Sequence, residues 1–489
     1  MSSVNTNMGA VVSAANMAKF GRELDTSIER LSSGLRINSA KDDAAGMAIV
    51  SKMEAQVRGV TQAIRNATDS QKLIDTSEGA HVETINILQR MRELAVQSSN
   101  DTNQALDRSF LNAEVTQLIA EIDRIATDAT WNGAKILDGT FTSKQFQLGA
   151  NKNEKVTYSI DSAKSAAIGN YKVTGTAADV TGTVSQVETD TLTISGYIGS
   201  STVSVAATST AKEVAALVNA KTADTGVTAT AVTKVKLDGL VAAGTLAFSL
   251  ENGDDSATVS AAITDITDLR ALKDAINAVA GTTGITAEMD SSSNAGVILT
   301  HSAGADIVID GFTNTVDGDI DFAVLDADGA SIAAALTLDN TTATADAHAY
   351  GQLDFHSSKA FTVGAVETDD TEGFLRATSN TASLSAVSAI NIGTASGAES
   401  AIAVIDGAIN KINQSRADLG AISNRLDSTI SNLTNVATNV EASVANVRDA
   451  DFSLETSKLT RSQILTQAAT SMLAQANASK QSILALLQG

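Results

Sequence analysis

The chain has 489 residues, of which 43% are apolar and only 3% aromatic, and it contains no Cys and no Pro. The absence of Cys excludes disulfides, thiolate metal sites and a Cys nucleophile, and the absence of Pro lets long helices run unbroken. The formal charge of -22 is concentrated in residues 160–395, which hold 29 acidic and 10 basic side chains, so neither nucleic acid nor a membrane is expected as a partner.

The N-terminal segment follows a helical period. Its apolar side chains recur at spacings of four and three residues, which places them on one helix face. The positions are Val4, Met8, Val11, Ala15 and Ala18, then, after a shift of phase, Met17, Leu24, Ile28, Leu31 and Leu35. They predict one long amphipathic helix whose buried side rotates around a partner. Residues 1–18 carry no basic side chain, so no secretory signal is expected and export would use another route.

Two more helices and a β-hairpin are predicted before residue 160. One helix covers roughly residues 45–98, and the next carries apolar side chains in nearly ideal helical spacing from Val115 to Ala126. Trp131-Asn132-Gly133 ends the second of these helices, and Asn-Gly favours a two-residue hairpin turn. The alternation in residues 155–160 predicts a strand.

The middle of the chain changes to short β-branched runs separated by Gly, Asn and Asp, which predicts a mostly β region. Examples are Thr191–Ile194, Thr245–Leu250 and Val297–Thr300. Residues 214–229 match residues 272–287 at an offset of 58. The offset predicts two related α/β modules, at about residues 190–232 and 245–312.

The clearest periodicity lies near the C-terminus. Ser396 and Glu399 match a capping box, so a helix is expected to begin there. A heptad pattern then runs from Ile402 to Val447, which corresponds to a helix roughly 70 Å long. Its d positions are all apolar and are Ile405, Ile412, Leu419, Leu426, Leu433, Val440 and Val447. A last helical stretch carries Leu465, Ala469, Met472, Ala476, Ile483 and Leu486.

These elements predict a multidomain α+β fold. Coiled-coil helix bundles would come from both chain ends, and mostly β outer domains from the middle. No motif of nucleotide, acyl-transfer or zinc chemistry is found, so no enzyme activity and no cofactor are expected. The four His have no partner His at helical spacing and are interpreted as structural or surface residues. They are His81, His301, His348 and His356.

An acidic segment is the best metal candidate. Asp317, Asp319 and Asp321 alternate along the chain, and Asp326 and Asp328 follow. Oxygen ligands at alternate positions suit calcium, but the Gly at loop position 6 and the closing Glu of an EF-hand are lacking. A solvated acidic loop is therefore the preferred interpretation, and O-linked sugars on the Ser/Thr-rich middle stay open.

Two motifs at opposite ends of the chain resemble those of one family. Leu31–Val50, LSSGLRINSAKDDAAGMAIV, closely resembles the N-terminal signature of bacterial flagellins. Gln463–Ala468 and Met472–Asn477 look like the closing helix of the same family. The resemblance covers about residues 1–160 and 384–489, and the middle is similar to the family's variable outer region with its repeated insertion motif.

The resemblance implies a filament subunit whose paired ends form inner coiled coils around a narrow channel and a surrounding tube. The implied domains are an inner coiled coil from residues 1–45 and 451–489, a helical tube from 46–160 and 384–450, and outer domains from 161–383. Inner coiled-coil packing is expected from Val4, Met8, Val11, Ala15, Leu24, Ile28, Leu31, Leu465, Met472, Ile483 and Leu486. Packing of the tube helices is expected from Ile405, Ile412, Leu419, Leu426, Leu433 and Val440.

Members of the family are exported unfolded by a type III apparatus and polymerise at the filament tip for swimming motility. For this chain, the resemblance implies the same export and polymerisation and an extracellular location in the flagellum. Implied partners are other copies of the chain, the flagellar cap and hook-filament junction proteins, and an export chaperone bound through the C-terminal helix. Residues 478–481 lack the Pro that many relatives have there, so a straighter terminal helix is expected.

Gln89–Gln97 closely matches the contact motif of flagellins that an animal Toll-like receptor senses, with Met91 in place of the usual Val. The resemblance implies receptor binding by Gln89, Arg90, Arg92, Leu94, Gln97 and, on the next helix, Glu114. Packing of this surface against the next subunit would require the same residues.

Two other functions stay open at this point. A hook-filament junction protein shares terminal helices with flagellins, but the signature at residues 31–50 favours the filament subunit. A flagellin-like secreted enzyme or adhesin would carry its activity in residues 160–395, where catalytic motifs are lacking and an adhesive role is not excluded.

Overall fold

The computed structural model describes residues 6–100, 102–175, 178–181, 189–290, 293–316, 318–332, 335–339, 346–365, 374–375 and 379–487. For residues 178–181, 480 and 482–487 it describes the backbone alone. The chain forms two compact units. The first consists of Met1–Ile74, Ser143–Tyr158 and Ala421–Gly489, and the second of Asp75–Thr142 and Ser159–Gly420.

Long helices dominate both ends of the chain, as the sequence predicts. The helices are α1 (Met8–Ser33), α2 (Ala44–Ser99), α3 (Ala105–Asp128), α4 (Ala211–Asn219), α5 (Thr222–Thr225), α6 (Arg270–Thr283), a 3-10 turn (Val387–Ala389), α7 (Ala395–Arg448) and α8 (Phe452–Leu487). Without Pro, the 56 residues of α2 and the 54 of α7 run without a break. No described helix is both long and apolar enough to cross a membrane.

The start of α7 differs from the prediction. The helix begins at Ala395, and the hydroxyl of Thr394 accepts a hydrogen bond from the amide of Gly397 at 3.1 Å. Thr394 is therefore the capping residue, three positions before the amide that it satisfies. The predicted capping box of Ser396 and Glu399 is wrong, because Ser396 already lies in the first turn.

The middle of the chain is built from antiparallel strands. They are β1 (Thr130–Trp131), β2 (Ala134–Lys135), β3 (Lys144–Gln147), β4 (Lys155–Tyr158), β5 (Gly169–Thr174), β6 (Ala178–Thr181), β7 (Asp190–Ser195), β8 (Ser200–Val205), β9 (Thr228–Asp238), β10 (Thr245–Glu251), β11 (Ser256–Ala262), β12 (Thr286–Met289), β13 (Val297–His301), β14 (Ile307–Asn314), β15 (Ile320–Leu325), β16 (Leu336–Leu338), β17 (Ala347–Tyr350), β18 (Gln352–Ser357), β19 (Thr362–Gly364), β20 (Asn380–Thr381) and β21 (Ser383–Ala386).

Three larger sheets hold most of these strands. The largest has the order β12-β13-β9-β18-β5-β21, with β15 paired to β9 and β16 to β15. The second has the order β11-β10-β14-β17-β6, and the third β20-β19-β7-β8. In the largest sheet, residues 228–232 of β9 pair with β18, and residues 233–238 pair with β13 and β15. Helices at the ends and sheets in the middle confirm the predicted α+β class.

The two related segments fold alike. Each consists of two antiparallel strands, a helix and a further strand, namely β7, β8, α4 and β9 in the first and β10, β11, α6 and β12 in the second. The helices pack their apolar sides into two separate cores, one around Val214 and Phe355 and the other around Ile276 and Phe312.

Two short hairpins accompany the long helices. Asn132 and Gly133 connect β1 to β2 with φ of 48° and 79°, so the predicted two-residue turn is confirmed. In the first unit, β3 and β4 pair, and the hydroxyl of Tyr158 lies 2.9 Å from that of Ser70 on α2.

Candidate assembly and recognition surfaces

α1 and α8 pack against each other in antiparallel orientation. Near one end, Asn7 Nδ2 donates a hydrogen bond to the carbonyl oxygen of Ala476 at 3.1 Å. Near the other, Arg30 Nη1 donates to Glu455 Oε1 at 3.1 Å. Among the described side chains of α8, the buried ones recur every seven positions, the spacing of a coiled coil, and are Glu455, Ser462 and Ala469.

Two separate apolar faces run along α1. One face is half-buried and carries Met17, Leu24 and Leu31. The other is exposed and carries Met8, Val11, Ala15 and Ala18. With 3.6 residues per turn, the two sets point in roughly opposite directions. The sequence predicts a single stripe that rotates around a partner, but the structure shows two faces, of which the described chain covers one.

The other predicted coiled-coil residues are distributed over both kinds of surface. Ile28 is 49% exposed, although Leu24, one turn earlier, is half-buried. On α8, Leu465 is half-buried and Met472 is 64% exposed. Val4 lies outside the described residues, as do the side chains of Ile483 and Leu486.

A buried ion pair links α1 to α8. Glu455 is only 4% exposed, and its carboxylate accepts hydrogen bonds from Arg30 and, at 3.2 Å, from Lys458. Burial raises the pKa of Glu455, but the hydrogen bonds from the two cations outweigh it and hold the pKa below its usual value. Arg30 and Glu455 are 425 residues apart, so no local pattern in the sequence could have revealed this pair.

The heptad residues of α7 are buried along the first half of the helix. The d positions with at most 2% exposure are Ile405, Ile412, Leu419 and Leu426. Further along the helix, the d positions Leu433 and Val440 are half-buried. Three residues before Leu419, at an a position of the heptad, stands Arg416, whose guanidinium pairs with Glu78 of α2 at 2.6 Å.

Five of the six predicted receptor-binding residues are exposed, and the sixth is buried. The exposed set, which we call the Arg90 surface, consists of Gln89, Arg90, Arg92 and Gln97 on α2 and Glu114 on α3. Arg90 Nη2 lies 2.9 Å from Glu114 Oε1, and the hydrogen bonds that Arg90 donates to this carboxylate raise the pKa of Arg90. Arg92 pairs with Asp406 of α7 at 2.7 Å. Leu94 is 1% exposed, so it is not part of the Arg90 surface.

The histidines occupy the interior. His81 is fully buried, and this burial lowers its pKa to about 4. His348 Nε2 donates to the buried carboxylate of Asp306 at 2.9 Å. His301 and His356 are also buried or half-buried. Within the part of the chain that the structure describes, no three side chains of metal-ligating type come together.

The acidic segment does not form a common site among its described residues. Asp321 accepts a hydrogen bond from Thr337, Asp326 from the amide of Ala330, and Asp328 from Ser400, at 2.8, 2.7 and 2.8 Å. Asp317 lies outside the described residues. Each of these three carboxylates therefore has a partner of its own.

Antiparallel terminal helices with an uncovered apolar face, and a mostly β region inserted between them, define a structural protein built from its two chain ends. Residues 4–142 match the bacterial flagellin N-terminal helical region, and residues 402–487 match the bacterial flagellin C-terminal helical region. The flagellin hook IN motif matches residues 191–243 and again 245–302. The chain belongs to the bacterial flagellin family.

Flagellins of other bacteria align with this chain over nearly its whole length. The B-type flagellin of Pseudomonas aeruginosa is 37% identical over 494 residues, and the flagellin of Salmonella typhimurium is 34% identical over 516 residues. Each alignment covers 99% of both chains. The solved structure of FliC from Burkholderia pseudomallei aligns with 73% of this chain and 99% of its own at 20% identity, with a TM-score of 0.29. As a flagellin, the chain is a structural subunit of the flagellar filament.

Proposed function

We propose that this chain polymerises with copies of itself into a hollow helical filament that drives swimming. The observation that carries the proposal is the exposed apolar face of α1, where Met8 and Val11 are 61% and 54% exposed. Burial of one such side chain stabilises an assembly by roughly 1.5–3 kcal/mol. Exposed apolar faces along a helix of this length favour association with further helices.

The partner that fits this face best is the terminal helix pair of a second copy. Around α8, Ala469 is buried while Ile464 and Met472 are exposed, so apolar side chains point both toward and away from α1. One partner helix covers only one side of such a helix. Repetition of the same α1–α8 pair around a common axis would cover the remaining sides of both helices.

The expected domain organisation follows from the same argument. We propose that residues 1–45 and 451–489 form the inner coiled coil and that residues 46–160 and 384–450 form the surrounding tube. Residues 161–383 would form the outer domains. The acidic charge of residues 160–395 suits a surface in contact with water, because like charges keep neighbouring filaments apart.

We further propose that the chain leaves the cell unfolded through a type III apparatus and is added at the filament tip. The partners on this route would be an export chaperone that covers α8, the flagellar cap and the hook-filament junction proteins. The exposed side chains of Ile464 and Met472 support the proposal of a chaperone, because a partner must cover them until other subunits of the filament do so.

Seeded elongation followed by negative-stain microscopy tests the assembly proposal. Fragments of filament should elongate with the full chain, whereas deletion of residues 455–489 should abolish elongation and leave a folded, soluble protein. Met472→Asp should block elongation in the same way. Val241→Asp is the matched control, since Val241 is 66% exposed on the middle region. Normal filaments from the deletion or from Met472→Asp would refute the proposed role of the chain ends.

A second proposed role is recognition by an animal Toll-like receptor. The Arg90 surface supports it because five of the six residues expected from the resemblance are exposed on adjacent helices. Arg90→Ala and Glu114→Ala should each lower the potency of the soluble chain about tenfold in receptor-reporter cells. Arg124→Ala is the control, because Arg124 forms an exposed ion pair with Glu121 on the same helix as Glu114. Unchanged potency for both variants would contradict this role.

A further inference from the structure

A cleft of mixed polar and apolar lining lies between α7 and the β region of the second unit. Its volume is about 730 Å³, within the range of roughly 300–1,000 Å³ that is usual for small-molecule sites. We call it the α7 cleft. Its lining includes Asp406, Asn410 and Asn413 on α7, Tyr197 after β7, Thr230 on β9 and His356 on β18.

The floor of the α7 cleft is held rigidly. A Cβ atom at Gly407 would lie 2.8 Å from Cβ of Asn170, so the backbone of α7 directly contacts β5. Asn170 Nδ2 donates a hydrogen bond to His356 Nδ1 at 2.7 Å. His356 Nε2 then carries the ring proton and donates to Thr230 Oγ1 at 3.0 Å. The imidazole thus links β5 to β9 on the sheet side of the cleft as a neutral group, consistent with a pKa that burial lowers.

The α7 side of the cleft offers free hydrogen-bonding groups. Asn410 and Asn413 are exposed, one helical turn apart on α7, and neither side chain has a hydrogen bond to another described residue. A carboxamide both donates and accepts, which is also true of a hydroxyl group. The two side chains can therefore pair with adjacent hydroxyl groups of one ligand.

Charge and shape narrow the class of ligand. Among the described residues that line the cleft, Asp406 is the only charged side chain, and Arg92 neutralises it at 2.7 Å. The described lining offers no cation to a phosphate and only this already paired carboxylate to a metal ion, and a hydrophobic ligand would leave the carboxamides unpaired. The cleft suits a neutral molecule that is rich in hydroxyl groups.

Tyr197 supplies an aromatic surface at the mouth of the cleft. The residue is 42% exposed, and a side chain at Gly226, whose φ is 74°, would collide with its ring. Lys359 Nζ lies 5.4 Å from the ring centroid and also restrains the ring. Sugars present C–H groups on one face of the ring, and these pack well on aromatic side chains.

We propose that the α7 cleft binds a short neutral oligosaccharide, with Asn410 and Asn413 on its hydroxyl groups and Tyr197 on a sugar face. The filament would then carry many copies of a weak glycan site, and multivalency would strengthen its attachment to a glycan-coated surface. This proposal goes beyond the filament role and does not depend on it, because the cleft is formed within one chain.

Saturation-transfer NMR with the full-length, unpolymerised chain tests the proposal. The probes are maltotriose, cellotriose and triacetylchitotriose, each titrated to obtain Kd. At least one should receive saturation from the protein. The double variant Asn410→Ala/Asn413→Ala should raise its Kd about tenfold, as expected for two lost neutral hydrogen bonds, and Tyr197→Ala should also weaken it.

Asn424→Ala is the matched control, since Asn424 is exposed on α7 but does not line the cleft. It should leave Kd unchanged. Circular dichroism melting checks that every variant folds. Absence of saturation transfer to all three sugars overturns the proposal. Equal Kd values for the double variant and for Asn424→Ala also overturn it, because binding would then occur elsewhere on the chain.

Discussion

The side chain of Asn219 makes both backbone hydrogen bonds of Ala229, ten residues further along the chain. Its Nδ2 donates to the Ala229 carbonyl oxygen at 2.9 Å, and its Oδ1 accepts from the Ala229 amide at 2.8 Å. Asn277 repeats the arrangement with Ala287, at 2.8 and 2.9 Å. The carboxamide thus joins a helix to the next strand in both modules.

Removal of the carboxamide should loosen one module at a time. Asn219→Ala leaves the Ala229 amide and carbonyl unpaired and should cost about 1–2 kcal/mol. Hydrogen exchange should show faster exchange at Ala229 and unchanged exchange at Ala287, and Asn277→Ala should show the reverse. Asn435→Ala, at an exposed position of α7, should alter neither amide. Equal loosening of both modules by either variant would contradict their independence.

The buried His81 should make the second unit sensitive to acid. Its pKa in the folded chain is about 4, against 6.5 for the exposed side chain, because burial disfavours the cation. Glu78 and Asp161 oppose this shift and Arg416 adds to it. Between these pH values the folded chain binds fewer protons than the unfolded chain, so stability falls as the pH falls through this range.

The stability lost between pH 7 and pH 4 through His81 should be on the order of 3 kcal/mol. His81→Leu should remove this part of the pH dependence. Urea unfolding can be followed through Trp131, the only Trp of the chain, which lies in the same unit. Identical pH profiles for the variant and the original chain would show that His81 is not the titrating group.

Elements of regular period could be predicted from the sequence because a local pattern specifies them. The d positions of α7 are apolar every seventh residue, and Ile405 to Leu426 are indeed buried. The Asn132-Gly133 turn and the repeat at an offset of 58 are equally local. The sequence alone does not locate the capping residue, because Ser396 and Thr394 both suit a helix start, and only the geometry distinguishes them.

Pairings between distant segments could not be predicted. Arg30 and Glu455 meet only when α1 and α8 pack, and each residue alone resembles an ordinary solvated charge. Leu94 lies within the contact motif and matches it in sequence, yet its side chain is buried in the core. The α7 cleft combines residues from five separate segments, and no sequence pattern within any one segment indicates it.

Loss of Arg30 should destabilise the α1–α8 pair more than loss of both charges. Arg30→Ala leaves the buried carboxylate of Glu455 with Lys458 alone and should cost about 2 kcal/mol, since Arg30 is partly exposed. Arg30→Ala/Glu455→Gln should recover part of this loss. Hydrogen exchange of the α8 amides is the measurement. A double variant that exchanges as fast as Arg30→Ala would show that the buried charge is not the cause.

Replacement of two glycines of α7 by Ala should change the free energy of unfolding in opposite directions. At Gly407 a Cβ atom would lie 2.8 Å from Cβ of Asn170 and 2.9 Å from its Cα, so Gly407→Ala must push the helix away from β5. Such overpacking costs about 1–3 kcal/mol. At Gly420 nothing lies within 4 Å, so Gly420→Ala should gain about 0.5–1 kcal/mol from helix propensity. Urea midpoints read through Trp131 compare the two variants, and stabilisation by Gly407→Ala would refute the close contact between α7 and β5.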